Sequence, residues 1–450
     1  MKNARDAAFT ALLQVDVNAG YSNLVIDKAI VQANLQRRDA ALASAIFYGT
    51  LERRITLDYY LKQFSKLPLT KISPQILTLL RMAGCQILYM EKIPPSAAVN
   101  EAVNMAKRVQ GQKVAGFVNG VLRSLLRGKD SVKLPSQTNE LEYLSVAYSC
   151  PKWLIQLWQK AYGKAHTQGL LQSFFEKPPL YARVNTTKIT TEQLVERLAQ
   201  EQVTAKVIPM FPDAVALAQT GSVAHLKAYE LGLFHIQDLA SQLCCRLFDP
   251  KPGQTILDVC AAPGGKSFTI AQLMENCGQL FSFDKYKGRV GLIAAGAGRL
   301  GLTVIQAQKR DGCDPGAPQF CADGVLCDVP CAGLGVIGRK PEIRYKPQDE
   351  LKALPQIQRS ILEQAAKQVN PGGTLVYSTC SLNPAENTEI ADWFLSTHEN
   401  FTAKPLQLPA GIQRIVDKAD NQLTLLPHIH GTDGFFIAQF QKKFYNNGRE

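Results

Sequence analysis

From residue 4 to 127, apolar side chains return at the i, i+3, i+4 spacing of helices that bury one face. Ala7, Ala8, Ala11, Leu12 and Leu13 open the pattern, and Leu24, Val25, Ala29 and Ile30 continue it. It recurs through 40–51, 75–90 and 99–126, punctuated by Pro94-Pro95 and Gly111. Strand signals are nearly absent, so the expectation is an all-α domain. The polar stretch from Gly128 to Glu140, with Pro135, Ser136, Thr138 and Asn139, reads as a linker. Beyond it, strands at 180–184 and 203–208 flanking a helix near 191–200 predict a small α+β module. From Gln237 onward apolar strands alternate with helices, at 255–259, 280–283, 303–307, 324–326 and 374–377. That alternation predicts a mostly parallel sheet in a doubly wound α/β domain. The C-terminus departs from it: 423–426 and 434–440 are strands with no helix between them, which predicts an antiparallel hairpin at one sheet edge. The expected domains are 1–140, 141–236 and 237–450.

Composition narrows the class. The chain has 450 residues, 46% of them hydrophobic, too many for one ordinary domain and enough for real cores. No apolar run is long enough to span a bilayer, and Met1-Lys2-Asn3-Ala4-Arg5-Asp6 leads into an amphipathic helix rather than a signal peptide. The expectation is a soluble cytoplasmic protein with no membrane partner, a monomer rather than an oligomer. The cysteines number 11, an odd count that fits free thiols in a reducing compartment. Cys244-Cys245 and Cys327-x3-Cys331 lack the paired spacing of a zinc site, so no metal is expected. The net charge of +12 is uneven: residues 1–140 carry 19 Lys+Arg against 10 Asp+Glu, 141–236 carry 9 against 7, and the remainder 22 against 21. A basic module joined to a near-neutral one suits a polyanionic partner such as nucleic acid.

The densest chemical signal is Ile256-Leu257-Asp258-Val259-Cys260-Ala261-Ala262-Pro263-Gly264-Gly265-Lys266-Ser267, a strand running through a small-residue turn into a helix. Ligands of open α/β sheets bind over such turns. Gly265-Lys266-Ser267 would complete a phosphate-binding G-x4-G-K-[ST] loop, but its first glycine position holds Cys260, and Pro263 removes an N–H. A dinucleotide fingerprint, G-x-G-x-x-G, is not supplied either. S-adenosylmethionine carries no phosphate and needs neither pattern. It needs an acid after the next strand for its ribose hydroxyls, and Asp284 stands at that interval. Asp311, after the third strand, is positioned to reach an adenine amine. An aspartate in either place is also a common helix cap.

Two further segments follow the fourth and fifth strands: Asp328-Val329-Pro330-Cys331-Ala332-Gly333-Leu334-Gly335, and Ser378-Thr379-Cys380-Ser381 ahead of a helix expected from Asn383-Pro384. Both Cys331 and Cys380 therefore fall on the ligand-bearing edge, and a helix N-terminus after Cys380 would favour its thiolate. One such cysteine alone is more often a buried spacer. Two on adjacent strand ends, with Asp328 three residues before one of them, point to covalent catalysis. Carbon 5 of cytosine is a poor nucleophile until a thiolate adds to carbon 6. The charge then developing at N3 needs a donor, a role open to Asp328 if protonated. A second residue must help to remove the carbon 5 proton and release the thiol.

These motifs, together with Gly338-Arg339-Lys340-Pro341-Glu342-Ile343-Arg344-Tyr345 and Ser378 through Asn387, resemble the RNA 5-methylcytosine methyltransferases. Arg183-Val184-Asn185, Gln237-Asp238-Leu239-Ala240-Ser241-Gln242 and His430-Gly431-Thr432-Asp433-Gly434-Phe435-Phe436 match as well, and the N-terminal helical region is similar to the antitermination factor N-utilisation substance B. The resemblance implies a Rossmann-like methyltransferase domain and S-adenosylmethionine as cofactor. It implies 16S ribosomal RNA as partner, with a loop cytosine near the decoding site as target. Cofactor contacts fall on Cys260, Ala261, Ala262, Pro263, Gly264, Gly265, Lys266, Asp284, Asp311 and Asp328, the nucleophile on Cys380 and the release cysteine on Cys331. The chain departs from the pattern at Ala332, where serine is usual, and at Tyr345, where tryptophan is common. Three other readings stay open: another RNA as substrate, DNA cytosine methylation with Cys331 as nucleophile, and an RNA-binding regulator with no catalysis.

Overall fold

The structure, a computed structural model, describes residues 3–18, 22–176, 178–316 and 319–444. The chain forms two compact units: Met1–Phe175 with Ile337–Lys346, and Glu176–Val336 with Pro347–Glu450.

The first unit is helical: α1 (Ala4–Asn18), α2 (Ser22–Gln32), α3 (Arg37–Glu52), α4 (Arg54–Phe64), α5 (Pro74–Tyr89), α6 (Pro95–Gln110), α7 (Gln112–Gly128), α8 (Glu140–Ala147) and α9 (Lys152–Ser173). The expected periodicity is the buried face: α7 buries Ala115, Val118, Val121, Leu122 and Leu125. Proline at the first turns of α5 and α6 costs no helical hydrogen bond, and Gly111, at φ +87°, breaks α6 from α7. α8 and α9, which lie beyond the polar stretch at 128–140, belong to this same unit. So does the segment Ile337–Lys346, which returns from the second half of the chain as a 3-10 turn over Pro341–Tyr345. Arg344 is 1% exposed and aims its Nη1 at the carbonyls of Tyr148 (3.3 Å) and Glu52 (3.4 Å). The Tyr345 hydroxyl donates to the Leu51 carbonyl at 2.8 Å, and Glu342 accepts the Ser22 N–H at 3.0 Å.

The second unit opens with β1 (Leu180–Val184), α10 (Thr191–Gln200), β2 (Thr204–Ile208), β3 (Phe211–Ala218), α11 (Lys227–Glu230) and β4 (Phe234–Ile236). The four strands form an antiparallel sheet in the order β2-β3-β1-β4. The expected α+β module is therefore present, with two strands that the hydropathy pattern did not signal. β3 is alanine-rich and carries Pro212, and β4 is only three residues long. Then come α12 (Leu239–Phe248), β5 (Thr255–Asp258), α13 (Gly265–Leu273), β6 (Gln279–Asp284), α14 (Lys287–Leu300), β7 (Ile305–Lys309) and β8 (Ala322–Asp328). After these follow α15 (Gln348–Leu351), α16 (Leu354–Lys367), β9 (Val369–Thr379), α17 (Thr388–Thr397), β10 (Phe401–Ala403), β11 (Gln422–Leu425), α18 (Pro427–His430) and β12 (Phe435–Lys442).

These strands build one eight-stranded sheet in the order β10-β12-β9-β8-β5-β6-β7, with β11 also on β12. The five strands from β5 to β9 are parallel, as alternation predicts. β7 lies two residues later than expected and carries Gln306, Gln308 and Lys309. An edge strand with one covered face tolerates such residues. The C-terminal strands pair antiparallel, Leu425 opposite Phe435, and close that end of the sheet. Two details differ from expectation: α18 fills the connection, and β12 lies between β9 on one side and β10 with β11 on the other. Its first six residues are all buried, the mark of a strand covered on both faces. Among the described residues no helix is long and apolar enough to cross a membrane.

Candidate active site

The sheet order sets where a ligand can sit. From β5 the chain moves outward through β6 and β7, then crosses to β8 and β9 on the other side, so the order reverses between β5 and β8. A crevice opens at such a switch point, outside the carboxyl ends of the strands. The turn after β5 and the loop after β8 border it. Every candidate residue lies on that edge: Cys260–Lys266 between β5 and the first turn of α13, Asp284 at the end of β6, Asp311 just past β7, Asp328 at the end of β8, and Cys331 and Cys380 in the next two loops.

The turn after β5 is not a phosphate cradle. The Ala261 N–H is spent on the Phe283 carbonyl (2.7 Å) and the Gly264 N–H on the Ala261 carbonyl (2.8 Å). Pro263 has no N–H, so the run of free amides that an anion needs is missing. Gly264 makes the elbow at φ +113°, and a β-carbon there would sit 2.4 Å from the Phe268 ring. Carboxylates line the neighbouring strand ends instead. Asp284, 4% exposed, accepts the Tyr286 N–H at 3.0 Å and faces Arg289 Nη1 at 3.4 Å. Arg289 also donates to the Ala262 carbonyl at 2.8 Å, tying that carboxylate to the turn. Asp311 pairs with Lys285 at 2.9 Å and accepts the Cys313 N–H at 3.0 Å; the Lys285 hydrogen bond holds its carboxyl below the usual range. Acids beside a neutral turn fit the hydroxyls of an uncharged nucleoside and a positive sulfonium, and they repel a pyrophosphate. Asp258 closes β5 beneath the turn, fully buried. Ser267 donates to it at 2.7 Å, yet burial pushes its carboxyl up to about 7.

On the other side of the crevice the Cys331 and Cys380 sulfurs are 3.3 Å apart, both half-buried. The hydrogen bond to the Cys380 sulfur, reinforced by burial, holds the Cys331 thiol well above its ordinary range. Asp328 accepts one hydrogen bond on each oxygen, from Lys266 Nζ and from Ser378 Oγ, both at 2.8 Å. Burial alone would lower the Lys266 ammonium, but the attraction of Asp328 outweighs it and the value is raised. The Phe435 ring, 4.9 Å from the ammonium, covers its other side. The two cysteine loops are bound together by Glu386, a fully buried carboxylate. Its Oε2 accepts from the Ala332 N–H (2.8 Å) and Gln358 (2.9 Å), and its Oε1 from Ser381 (2.7 Å) and Asn383 (3.1 Å).

Two corrections to the sequence reading follow. Asp328 accepts on both oxygens, from Lys266 Nζ and Ser378 Oγ, so neither is presented as a donor, and the cation at this strand end is Lys266. The helix expected from Asn383-Pro384 opens there as a 3-10 turn over Pro384–Glu386 capped by Asn383, and the α-helix α17 begins only at Thr388, eight residues past Cys380. Glu386, Ser378 and Asp258 were given no role in sequence. All three lie inside the quoted motifs, but only the fold shows what their side chains hold. Among the described residues no three His, Cys, Asp or Glu side chains gather as a metal site.

Comparison with known proteins agrees with this architecture. The profile described as 16S rRNA methyltransferase RsmB/F matches residues 245–441, the NusB family 2–127, and the ferredoxin-like domain of Methyltr_RsmF/B-like proteins 150–224. A Bacillus subtilis (strain 168) protein named probable ribosomal RNA small subunit methyltransferase B is 40% identical, covering 98% of this chain and 99% of that protein. A Yersinia pseudotuberculosis (serotype O:1b, strain IP 31758) protein named ribosomal RNA small subunit methyltransferase B is 32% identical, over 98% and 99%. Among solved structures, PH0851 superposes with a TM-score of 0.83 at 27% identity over 98% of each chain. A methyltransferase homolog from Pyrococcus horikoshii does so with a TM-score of 0.60 at 29% identity, over 68% of this chain and 99% of that one.

Proposed function

The chain belongs to the 16S rRNA methyltransferase RsmB/F family, and from that premise we propose that it methylates carbon 5 of a cytosine in 16S ribosomal RNA through a covalent adduct on Cys380. The observation that carries this reading is the pair of thiols at 3.3 Å, beside the Lys266–Asp328 ion pair. S-adenosylmethionine, which Cys260–Lys266, Asp284 and Asp311 would hold, would supply an electrophilic methyl group. The chain's own residues do the rest. Cys380 adds as thiolate to carbon 6, and the charge that moves to N3 is met by the Lys266 ammonium, which Asp328 and Ser378 keep in place. Carbon 5 thereby becomes the nucleophile and takes the methyl group.

The second cysteine acts afterwards. Before attack, Cys331 keeps its proton because the neighbouring sulfur would be left beside a second negative charge. Once Cys380 is bonded to carbon, that charge is gone and Cys331 can give its proton to solvent, the one proton that the overall methyl transfer releases. It then removes the proton from carbon 5, and the electron pair expels Cys380 as thiolate. The proton ends on Cys331, and the pair returns to its starting state.

Each cysteine has its own signature. Cys380→Ala should give neither methylated RNA nor a covalent complex. Cys331→Ala should allow attack and methyl transfer but stall at release, so RNA-bound enzyme accumulates as a retarded band on denaturing gels. A retarded band with Cys380→Ala and none with Cys331→Ala would reverse the roles and favour the DNA-type arrangement. Full activity in both variants would return the cysteines to packing.

A further inference from the structure

We infer that Glu386 is the positioning residue of the cysteine pair: its buried carboxylate clamps the loops that carry Cys331 and Cys380 at thiol–thiol contact. The inference rests on the reading of Cys380 as nucleophile and Cys331 as its partner. Glu386 touches neither sulfur's substrate. It acts through four donors drawn from three separate segments: Ala332, one residue past Cys331; Ser381 and Asn383, just past Cys380; and Gln358 on α16. Gln358 also donates to the Pro330 carbonyl at 3.0 Å, on the other side of Cys331. The flanks of both cysteines thus converge on one anion.

A carboxylate without a cation is an unusual choice for this place. Burying one is costly unless hydrogen bonds satisfy it, and a neutral Gln could brace only some of the same donors. A neutral amide would present its NH2 to two groups that also donate. A carboxylate is the side chain that accepts from all four, and its negative charge then stands beside the sulfurs. The titratable groups facing Cys331 are Cys380, Glu386 and Tyr377, whose hydroxyl donates to the Glu386 carbonyl oxygen at 2.6 Å. The ion pair Lys266–Asp328 lies at the neighbouring strand ends. The hydrogen bond to Cys380 and burial come first in raising the Cys331 thiol, and the Glu386 carboxylate adds to them.

The test uses the full chain and alkylation by iodoacetamide, followed peptide by peptide with mass spectrometry across a pH series. In the unmodified protein Cys380 should react at lower pH than Cys331. Glu386→Gln should narrow the interval between the two midpoints by lowering that of Cys331. It should also reduce kcat at least tenfold while S-adenosylmethionine affinity stays within about twofold. Glu386→Asp keeps the charge and should keep the wider interval. A folded Glu386→Gln protein with the interval and kcat unchanged overturns the inference, as does an interval lost equally in Glu386→Asp. If Glu386→Gln does not fold, Ser381→Ala and Asn383→Ala remove the two donors to Oε1 and should each slow turnover several-fold; full turnover in both overturns it. Failure of the underlying reading is distinguishable, because Cys331→Ala in an otherwise unmodified chain would then trap no RNA.

Discussion

At the scale of single residues, two aspartates make opposite predictions. Asp258 is buried, and its carboxyl is raised to about 7, above the ordinary value of about 3.9 in an unfolded chain. Folding therefore favours its neutral form. The stability it contributes is fully present below about pH 4 and is lost as the pH rises through about 7. Asp258→Asn keeps an oxygen to accept from Ser267 and removes the ionisation. Thermal melts should show the variant gaining on the parent protein between about pH 4 and about pH 7, with the difference level above that; a constant difference throughout would mean that Asp258 is not raised. Asp284 is instead held ready at the crevice by Arg289. If its carboxylate takes the ribose hydroxyls, Asp284→Ala should cost about 1–3 kcal/mol of cofactor binding, several-fold to a hundredfold. Calorimetry giving unchanged affinity would remove Asp284 from the cofactor site.

At the scale of elements, the loop after β8 is fixed by a contact that no other residue type allows. Gly335 donates to the Cys380 carbonyl at 3.0 Å and accepts from the Gly434 N–H at 2.9 Å, so the loop is stitched to the ends of both β9 and β12. A β-carbon on Gly335 would lie 1.9 Å from the Gly434 carbonyl oxygen, which is backbone and cannot swing away. Gly335→Ala should therefore cost about 1–3 kcal/mol by overpacking and displace Cys380 from Cys331. A fall in melting temperature together with slower adduct formation would show this, whereas a fully active and stable variant would mean that the loop yields freely. The same stitching explains why β12 had to be an inner strand. Its outer edge carries β10 and β11, and its inner edge holds the strand that leads into the Cys380 loop.

At the scale of the molecule, the helical unit carries the basic excess. Lys107, Arg108, Lys113, Arg123 and Arg127 of α6 and α7 are exposed, and α7 contains no acidic residue. Gly116 and Gly120 lie between Lys113 and Arg123 with nothing within 4 Å of where a β-carbon would stand, so a phosphate backbone could approach the helix closely there. We propose this surface as a phosphate contact. Changing Lys113, Arg123 and Arg127 to Gln should weaken RNA binding, and should lower the slope of log affinity against log salt by roughly 2, at about 0.7 per contact for single strands. Cofactor binding should be unaltered; an unchanged salt slope would give the surface another role. Substitution is a cleaner experiment than deletion of 1–140. The unit continues to Phe175, and Ile337–Lys346 is packed into it through Arg344 and Tyr345. That segment follows the Cys331 loop directly, so truncation would strip the partners from a stretch of the catalytic half of the chain.

The sequence by itself determined what local chemistry can determine. Helical periodicity over 4–127, strand–helix alternation past Gln237, Cys260 in place of a P-loop glycine, and two cysteines after neighbouring strands each depend on residues close together in the chain. Backbone preference and side-chain chemistry act over that range. The tertiary structure decided what depends on residues far apart. It brought Lys266 to Asp328 across 62 positions and the two sulfurs together across 49. It set the Cys331 thiol against Cys380 and gathered three segments onto Glu386. It also put β12 inside the sheet and Ile337–Lys346 into the helical unit. A buried carboxylate or an ion pair is specified by which donors the fold carries to it, and no spacing along the chain encodes that.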